Sequence, residues 1–206
     1  MQRKRKLIVK GYFKFKPYLP FIILSLVFVL GVFLGSILVC KVDLLNTFAA
    51  DKLNEIYLVR SEKNFLTILR DSVLSIIPFY IFLFICGTSV IGAAITPIML
   101  LYKGFIYGLL SGYLYSAFKL EGIMFSAFIL LPVTIVSVFG LLLLAKESIS
   151  FSYLMARICI KSNKPLNLYT NFKSFCINSG LILILGLFAV LLDVGLSTLF
   201  VGYFNF

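Results

Sequence analysis

Residues 96–117 read TPIMLLYKGFIYGLLSGYLYSA, an apolar stretch long enough to cross a membrane as one helix. A helix rises about 1.5 Å per residue and a bilayer core is about 30 Å thick, so about 20 residues suffice. Gly104, Gly108 and Gly112 recur at four-residue spacing and share one helix face. Helices in lipid associate where small residues let their backbones approach, so the stretch predicts a packing face. That face serves neighbouring helices of the same chain, a dimer contact or a substrate groove.

The composition of the whole chain is that of a membrane protein. Of its 206 residues, 61% are hydrophobic and 13% are charged, and the mean hydropathy is +1.08. The net charge of +11 gathers at the ends of apolar segments, which is typical of membrane topology and not of nucleic-acid binding. Histidine is absent and the four cysteines are widely separated. We therefore expect no enzyme, and no catalytic, cofactor-binding or metal-binding residues.

Charge asymmetry orients the predicted spans. Lys and Arg collect on the cytoplasmic side of membrane proteins. The arm of residues 1–17 carries seven cations and no acid, and residues 146–173 carry five cations against one acid, so both are predicted inside. The expected fold is an all-α polytopic membrane protein with one membrane domain, its N-terminus inside and its C-terminus outside. The five predicted transmembrane helices occupy residues 18–40, 73–91, 96–117, 123–145 and 176–200.

Residues 41–72 form the one long polar segment that is predicted to lie on the outer side of the membrane. They carry five cations and five acids, and their apolar residues recur at near-helical spacing. This pattern predicts an outer loop of one or two amphipathic helices, which either cap the bundle or bind a partner. The residues expected to contact a partner are Leu53, Ile56, Phe65 and Ile68.

Two ionisable residues fall inside the predicted spans. We expect the Lys103 ammonium to snorkel to the cytoplasmic face, and the Asp193 carboxylate to reach the outer headgroups. The alternative for both is an intramembrane polar site. In the first span, Gly31 and Gly35 repeat the small-residue spacing and predict a second packing face.

Prolines mark two of the predicted spans. Pro78 is expected near the start of the second span, where a missing backbone N–H costs least. Pro132 lies in the middle of the fourth span and predicts a kink there. Thr134 and Ser137 are polar groups near enough to satisfy the loosened backbone.

Four segments carry a family resemblance. They are GVFLGSI at residues 31–37, CGTSVIGAAITPIMLLYKGFIYGLLSGYL at 86–114, LLPVTIVSV at 130–138 and ISFSYLMAR at 149–157. Together they resemble the stage II sporulation protein M family of bacterial inner-membrane proteins, most closely in the second segment. The chain departs from the family at Val133 and Thr134, where members commonly carry other polar pairs after the proline.

The resemblance implies a non-enzymatic scaffold in the bacterial cell membrane. In sporulating members the scaffold holds two peptidoglycan-degrading partners, stage II sporulation proteins D and P, at the septum during engulfment. The residues themselves leave an alternative, a transporter or permease subunit that uses Lys103 and Asp193 as an intramembrane polar site. The identity of the partner and the formation of a homo-oligomer stay open.

Overall fold

The computed structural model describes residues 19–56, 65–160 and 168–200. The helices there are α1 (Leu19–Val39), α2 (Asp43–Ile56), α3 (Phe65–Thr88), α4 (Gly92–Phe125), α5 (Leu131–Ile160) and α6 (Leu168–Phe200). A π-helical turn, Ser126–Leu130, joins α4 to α5, and the described ranges contain no strand. The predicted arm of residues 1–17 and the tail of residues 202–206 lie outside the described residues.

Four helical segments are long and apolar enough to cross a membrane by length and composition. Their outward sides carry many exposed Leu, Ile and Phe side chains, as lipid contact requires. The all-α prediction is therefore confirmed for the described residues, which have the character of a multi-pass membrane protein. The four segments are Leu19–Val39, Phe65–Thr88, Gly92–Cys159 and Leu168–Leu199.

The longest of these segments turns back on itself at Lys119. This residue has φ 46° and ψ −116°, a conformation outside the helical range. Beyond it the chain runs back along α4, since the Tyr115 hydroxyl lies 3.4 Å from Ser126 Oγ and the Tyr107 hydroxyl 3.3 Å from Ser137 Oγ. The reversal falls within residues 118–122, where the sequence predicts an outer turn.

Contacts between helices also define their directions. The first half of α4 runs parallel to α1, because Gly104, Gly108 and Gly112 meet successively later parts of α1. Helix α3 runs antiparallel to that half of α4 and to α6, and parallel to α5. Towards α4, Ser75 contacts Lys103 and the later Cys86 contacts the earlier Gly92, so the two helices are antiparallel. Towards α5, Tyr80 contacts Ser137 and the later Ser89, just after α3, contacts the later Ser152, so the two are parallel. Towards α6, Ser72 contacts Asp193 and the later Tyr80 contacts the earlier Gly186, so the two are antiparallel.

Several predicted span boundaries differ from the structure, since α5 continues to Ile160 past the predicted end at residue 145 and α6 begins at Leu168 before the predicted start at residue 176. Two further differences concern α3 and α4. Helix α3 begins at Phe65, before the predicted span start at residue 73, so Pro78 lies well inside the helix and not near its start. Helix α4 begins at Gly92, so the predicted link of residues 92–97 is already helical. In both places the polar or proline-containing sequence continues a helix because neighbouring helices pack around it.

Tyr80 lies at the centre of the largest core cluster. Its side chain is fully buried, and its hydroxyl donates to the Ser137 carbonyl at 2.8 Å. Gly140 on α5 and Gly186 on α6 face the ring, and a side chain at either position would meet it. Two glycines on different helices therefore form the slot that holds Tyr80.

Helix α2 packs across α4. Ala49 and Leu53 are its buried residues, and Leu53 contacts a cluster that includes Leu110 and Leu114 on α4 and Phe125 beyond the reversal. Its apolar stripe is therefore used within the chain. The helix covers the part of the bundle beside the reversal.

Candidate functional site

Helices α1 and α4 meet through their glycines. A Cβ atom built at Gly31 or Gly35 would collide with backbone atoms of α4, and one at Gly104 or Gly108 with backbone atoms of α1. One at Gly112 would meet the backbone and a side chain near the end of α1. The structure thus brings all five predicted packing glycines into one contact within the chain, where close approach favours van der Waals packing.

Lys103 lies beside this contact but points into the bundle. It is 4% exposed, its ammonium donates to the Ser75 carbonyl at 2.9 Å, and it lies 4.0 Å from the ring centroid of Phe79 and 5.3 Å from that of Tyr107. The expected snorkelling to the cytoplasmic face is therefore wrong. The reason is that α3 supplies closer partners, an acceptor and an aromatic face, within the bundle.

Pro78 lies close to that acceptor on α3. A proline donates no backbone N–H, so the carbonyl four residues before it, that of Leu74, loses its helical partner. The Ser75 carbonyl, which accepts from Lys103, is the next one along the helix.

Asp193 is also inside the bundle. It is 3% exposed, and Ser72 Oγ donates to its Oδ2 at 2.6 Å, so the expected contact with outer headgroups is wrong. Its partner Ser72 lies one helical turn before Ser75, whose carbonyl accepts from the Lys103 ammonium. Because the two predicted intramembrane charges both contact one short stretch of α3, the structure places them in a single site.

This site extends through hydroxyl groups to α5. The Tyr107 hydroxyl lies 3.3 Å from Ser137 Oγ, and the Ser137 carbonyl accepts from Tyr80. We call the set the polar cluster, and α3, α4, α5 and α6 all contribute to it. Its members are Ser72, Ser75, Phe79, Tyr80, Lys103, Tyr107, Ser137 and Asp193.

The α3 members of the polar cluster were not identified from the sequence. Ser72, Ser75 and Phe79 share one helix face, which is a readable signal, yet nothing in their spacing says which charges they meet. The requirement that a buried ammonium and a buried carboxylate have hydrogen-bonding partners was the available clue. Chemically, the cluster can hold a cation, balance its charge and tie four helices together.

A second polar contact secures the turn between α3 and α4. Ser152 Oγ donates to the Ser89 carbonyl at 2.7 Å and accepts from the Ala93 N–H at 2.9 Å. One turn earlier on α5, Ser148 Oγ donates to the Leu83 carbonyl at 2.8 Å. Two of the four segments that carry the family resemblance, residues 86–114 and 149–157, are therefore in direct contact.

The four predicted partner contacts differ in whether their side chains are buried or exposed. Leu53 is 1% exposed and Ile68 is 4% exposed, so neither is available on the surface, because their apolar stripes pack inside the chain. Phe65 is 59% exposed. Ile56 ends α2, and its side chain lies outside the described residues.

Further apolar side chains are exposed beside Phe65 on α3 and on α2. Leu66 follows it on α3, and Leu44 and Phe48 lie one turn apart on α2. An open groove of about 580 Å³ runs between α2 and α4, lined by Asp43, Asn46, Thr47, Ala50, Tyr113, Ser116 and Ala117. This end of the molecule offers both polar and apolar groups to a partner.

Comparison with protein-family models, curated proteins and solved structures finds no match to this chain. Its function is therefore inferred from its own residues and contacts.

Proposed function

We propose that the chain is a five-span scaffold of the bacterial inner membrane, of the stage II sporulation protein M type, which localises peptidoglycan-degrading proteins without being an enzyme. The contact between Ser152 and the α3–α4 turn is the observation that carries this proposal. It joins the segment in which the resemblance is strongest, residues 86–114, to a second segment that carries it, residues 149–157. During sporulation the partners would be stage II sporulation proteins D and P, at the septal or engulfing membrane.

The helix directions support five crossings. The reversal at Lys119 divides the Gly92–Cys159 segment into two antiparallel parts, each long enough to span. In a chain that crosses five times, spans one, three and five run one way and spans two and four the other. The parallel α1 and α4, the parallel α3 and α5, and the antiparallel α3 and α6 fit this scheme. Charge asymmetry then favours an inside N-terminus.

The orientation is tested by thiol labelling of a chain in which Cys40, exposed just after α1, is replaced by Ser. We expect an Asn54→Cys variant to react with a membrane-impermeant reagent in intact spheroplasts, because Asn54 is exposed on α2. Cys159 is exposed near the end of α5 and should react only with a permeant reagent. A silent Asn54→Cys that becomes labelled after lysis would reverse the topology.

The scaffold function is tested by crosslinked pull-down from cells at engulfment. Because Phe48 and Phe65 are exposed, Phe48→Ser combined with Phe65→Ser should reduce recovery of wall-degrading partners at unchanged protein level. Leu53→Ser is the matched control, since it places a hydroxyl in a buried cluster and should lower the protein level itself. Full recovery with the exposed pair replaced would remove this surface from the proposal.

The polar cluster favours a second candidate function, a transporter or permease subunit. Ionisable residues that lie within a bundle and contact one another often mark substrate or ion pathways. The test is Lys103→Met combined with Asp193→Leu in the full chain. If the protein is a scaffold, the double variant should still recruit its partners. If it is a transporter, the double variant should lose uptake of its substrate while its abundance in the membrane stays unchanged.

A further inference from the structure

The Lys103 ammonium occupies a site built like a cation cage. The Ser75 carbonyl accepts from it at 2.9 Å, the Phe79 ring lies 4.0 Å away and the Tyr107 ring 5.3 Å away. Aromatic faces attract cations within about 6 Å of the ring centroid, through the ring quadrupole. Ser72, one turn before Ser75 on α3, donates to the buried Asp193 carboxylate at 2.6 Å, which places a negative charge at the neighbouring level of the bundle.

Most of this cage does not belong to the helix that carries the lysine. Ser75 and Phe79 are on α3, and Asp193 is on α6. The cage is therefore made mainly by α3 and α6, with the Tyr107 ring added by α4, and the lysine side chain enters it from α4. A buried ammonium costs several kcal/mol to desolvate, so it persists only where such groups offset that cost.

We propose that the cage is a binding site for a primary ammonium group, that Lys103 is its built-in ligand, and that it accepts a free primary alkylammonium ion once the lysine side chain is removed. The tethered ammonium latches α4 to α3 and α6. This recognition goes beyond the scaffold function.

Lys103→Ala tests the proposal on purified full-length protein in detergent. The substitution removes Cγ, Cδ, Cε and Nζ, which together are the heavy atoms of a propylammonium ion. We expect the variant to unfold at a lower temperature than the wild type. Propylammonium chloride should restore most of the lost midpoint, and above its dissociation constant the midpoint should rise with the logarithm of its concentration, because a ligand that binds only the folded state stabilises it in this way.

Three additives separate recognition from general effects. Sodium chloride at the same concentration matches ionic strength, and 1-propanol matches size without charge, so neither should restore the midpoint. Tetramethylammonium carries charge but has no N–H for the Ser75 carbonyl, so it should restore less than propylammonium. Equal rescue by sodium chloride or 1-propanol would overturn the proposal.

Two variants give matched controls. Lys103→Ala combined with Asp193→Asn removes the balancing carboxylate and should abolish rescue. Lys41→Ala removes an exposed lysine and should neither lower the midpoint nor gain from propylammonium. Rescue that persists without the Asp193 carboxylate would contradict the assignment of that residue to the cage. These measurements do not depend on recruitment or uptake, so they can fail independently of either proposed function.

Should Lys103→Ala not accumulate, the wild type provides a second measurement. Reductive methylation followed by peptide mass spectrometry should modify the exposed Lys119 and spare Lys103. Phe79→Leu, which removes an aromatic face, should raise methylation of Lys103 towards that of Lys119. Equal modification of the two lysines in the wild type would overturn the cage.

Discussion

Helix α4 has two buried faces that depend on opposite features. Towards α1 it presents Gly104, Gly108 and Gly112, and the contact exists because no side chain stands between the two backbones. Towards α3, α5 and α6 it presents Lys103 and Tyr107, whose long side chains reach specific partners. Larger side chains on the glycine face should therefore weaken the contact with α1, whereas loss of a polar group on the other face should weaken the contacts with α3, α5 and α6.

The largest effect is expected on the polar face. Lys103→Met or Asp193→Leu alone leaves one buried charge in the polar cluster without the opposite charge, for which about 3–5 kcal/mol, the cost of breaking a close buried pair, is the upper value. The double variant replaces both charges with apolar side chains and should recover most of that loss. The free energy of unfolding in detergent, compared over all four combinations, measures the coupling. Additive losses in the double variant would mean that the two charges act independently.

The glycine face should respond next most strongly. Gly108→Leu inserts a side chain where even a Cβ would collide with the Val32 carbonyl, so the helices must separate. Overpacking typically costs about 1–3 kcal/mol, and more where backbone must move. Gly108→Ala should be milder than Gly108→Leu, but because a Cβ alone would collide with the Val32 carbonyl, a measurable loss is expected for Ala as well.

Gly180 is the matched control for Gly108. It is exposed on α6, with no atom within 4 Å of the position that a Cβ would take. Gly180→Leu should leave abundance and thermal unfolding close to wild type in the same assays. If Gly108→Leu behaves like Gly180→Leu, the α1–α4 contact contributes little to the stability of the bundle.

These two faces also show what the sequence can predict. Glycine spacing is a local pattern, so Gly104, Gly108 and Gly112 were readable as one face without knowledge of the partner helix. The apolar length of each span was readable for the same reason. The all-helical character therefore followed from the residues directly.

The polar face could not be read in this way. Lys103 and Asp193 are identifiable as costly residues, but the partners that keep them inside lie far along the chain at Ser72 and Ser75. Without them, snorkelling was the simplest way to lower the cost. Helix α2 gave a similar error, since its amphipathic stripe is the same whether Leu53 meets a partner protein or α4.

The smallest expected effect concerns the turn between α3 and α4. Ser152→Ala removes the hydroxyl that donates to the Ser89 carbonyl and accepts from the Ala93 N–H near the start of α4. Loss of a side-chain cap at a helix start costs about 1 kcal/mol. We expect a lowered thermal midpoint and faster hydrogen exchange of the turn amides, while the glycine contact between α1 and α4 keeps its protection.

Ser150 provides the control for Ser152, because it is exposed and its hydroxyl bonds only to the Lys146 carbonyl of its own helix. Ser150→Ala should change neither the midpoint nor the exchange of the turn amides. Because Ser152 joins two of the four segments that resemble the sporulation family, its loss should also weaken partner recruitment if that junction supports function. Equal behaviour of the two alanine variants would show that the turn is held by packing of its apolar neighbours, including Phe175 against Gly87, and that the hydroxyl is dispensable.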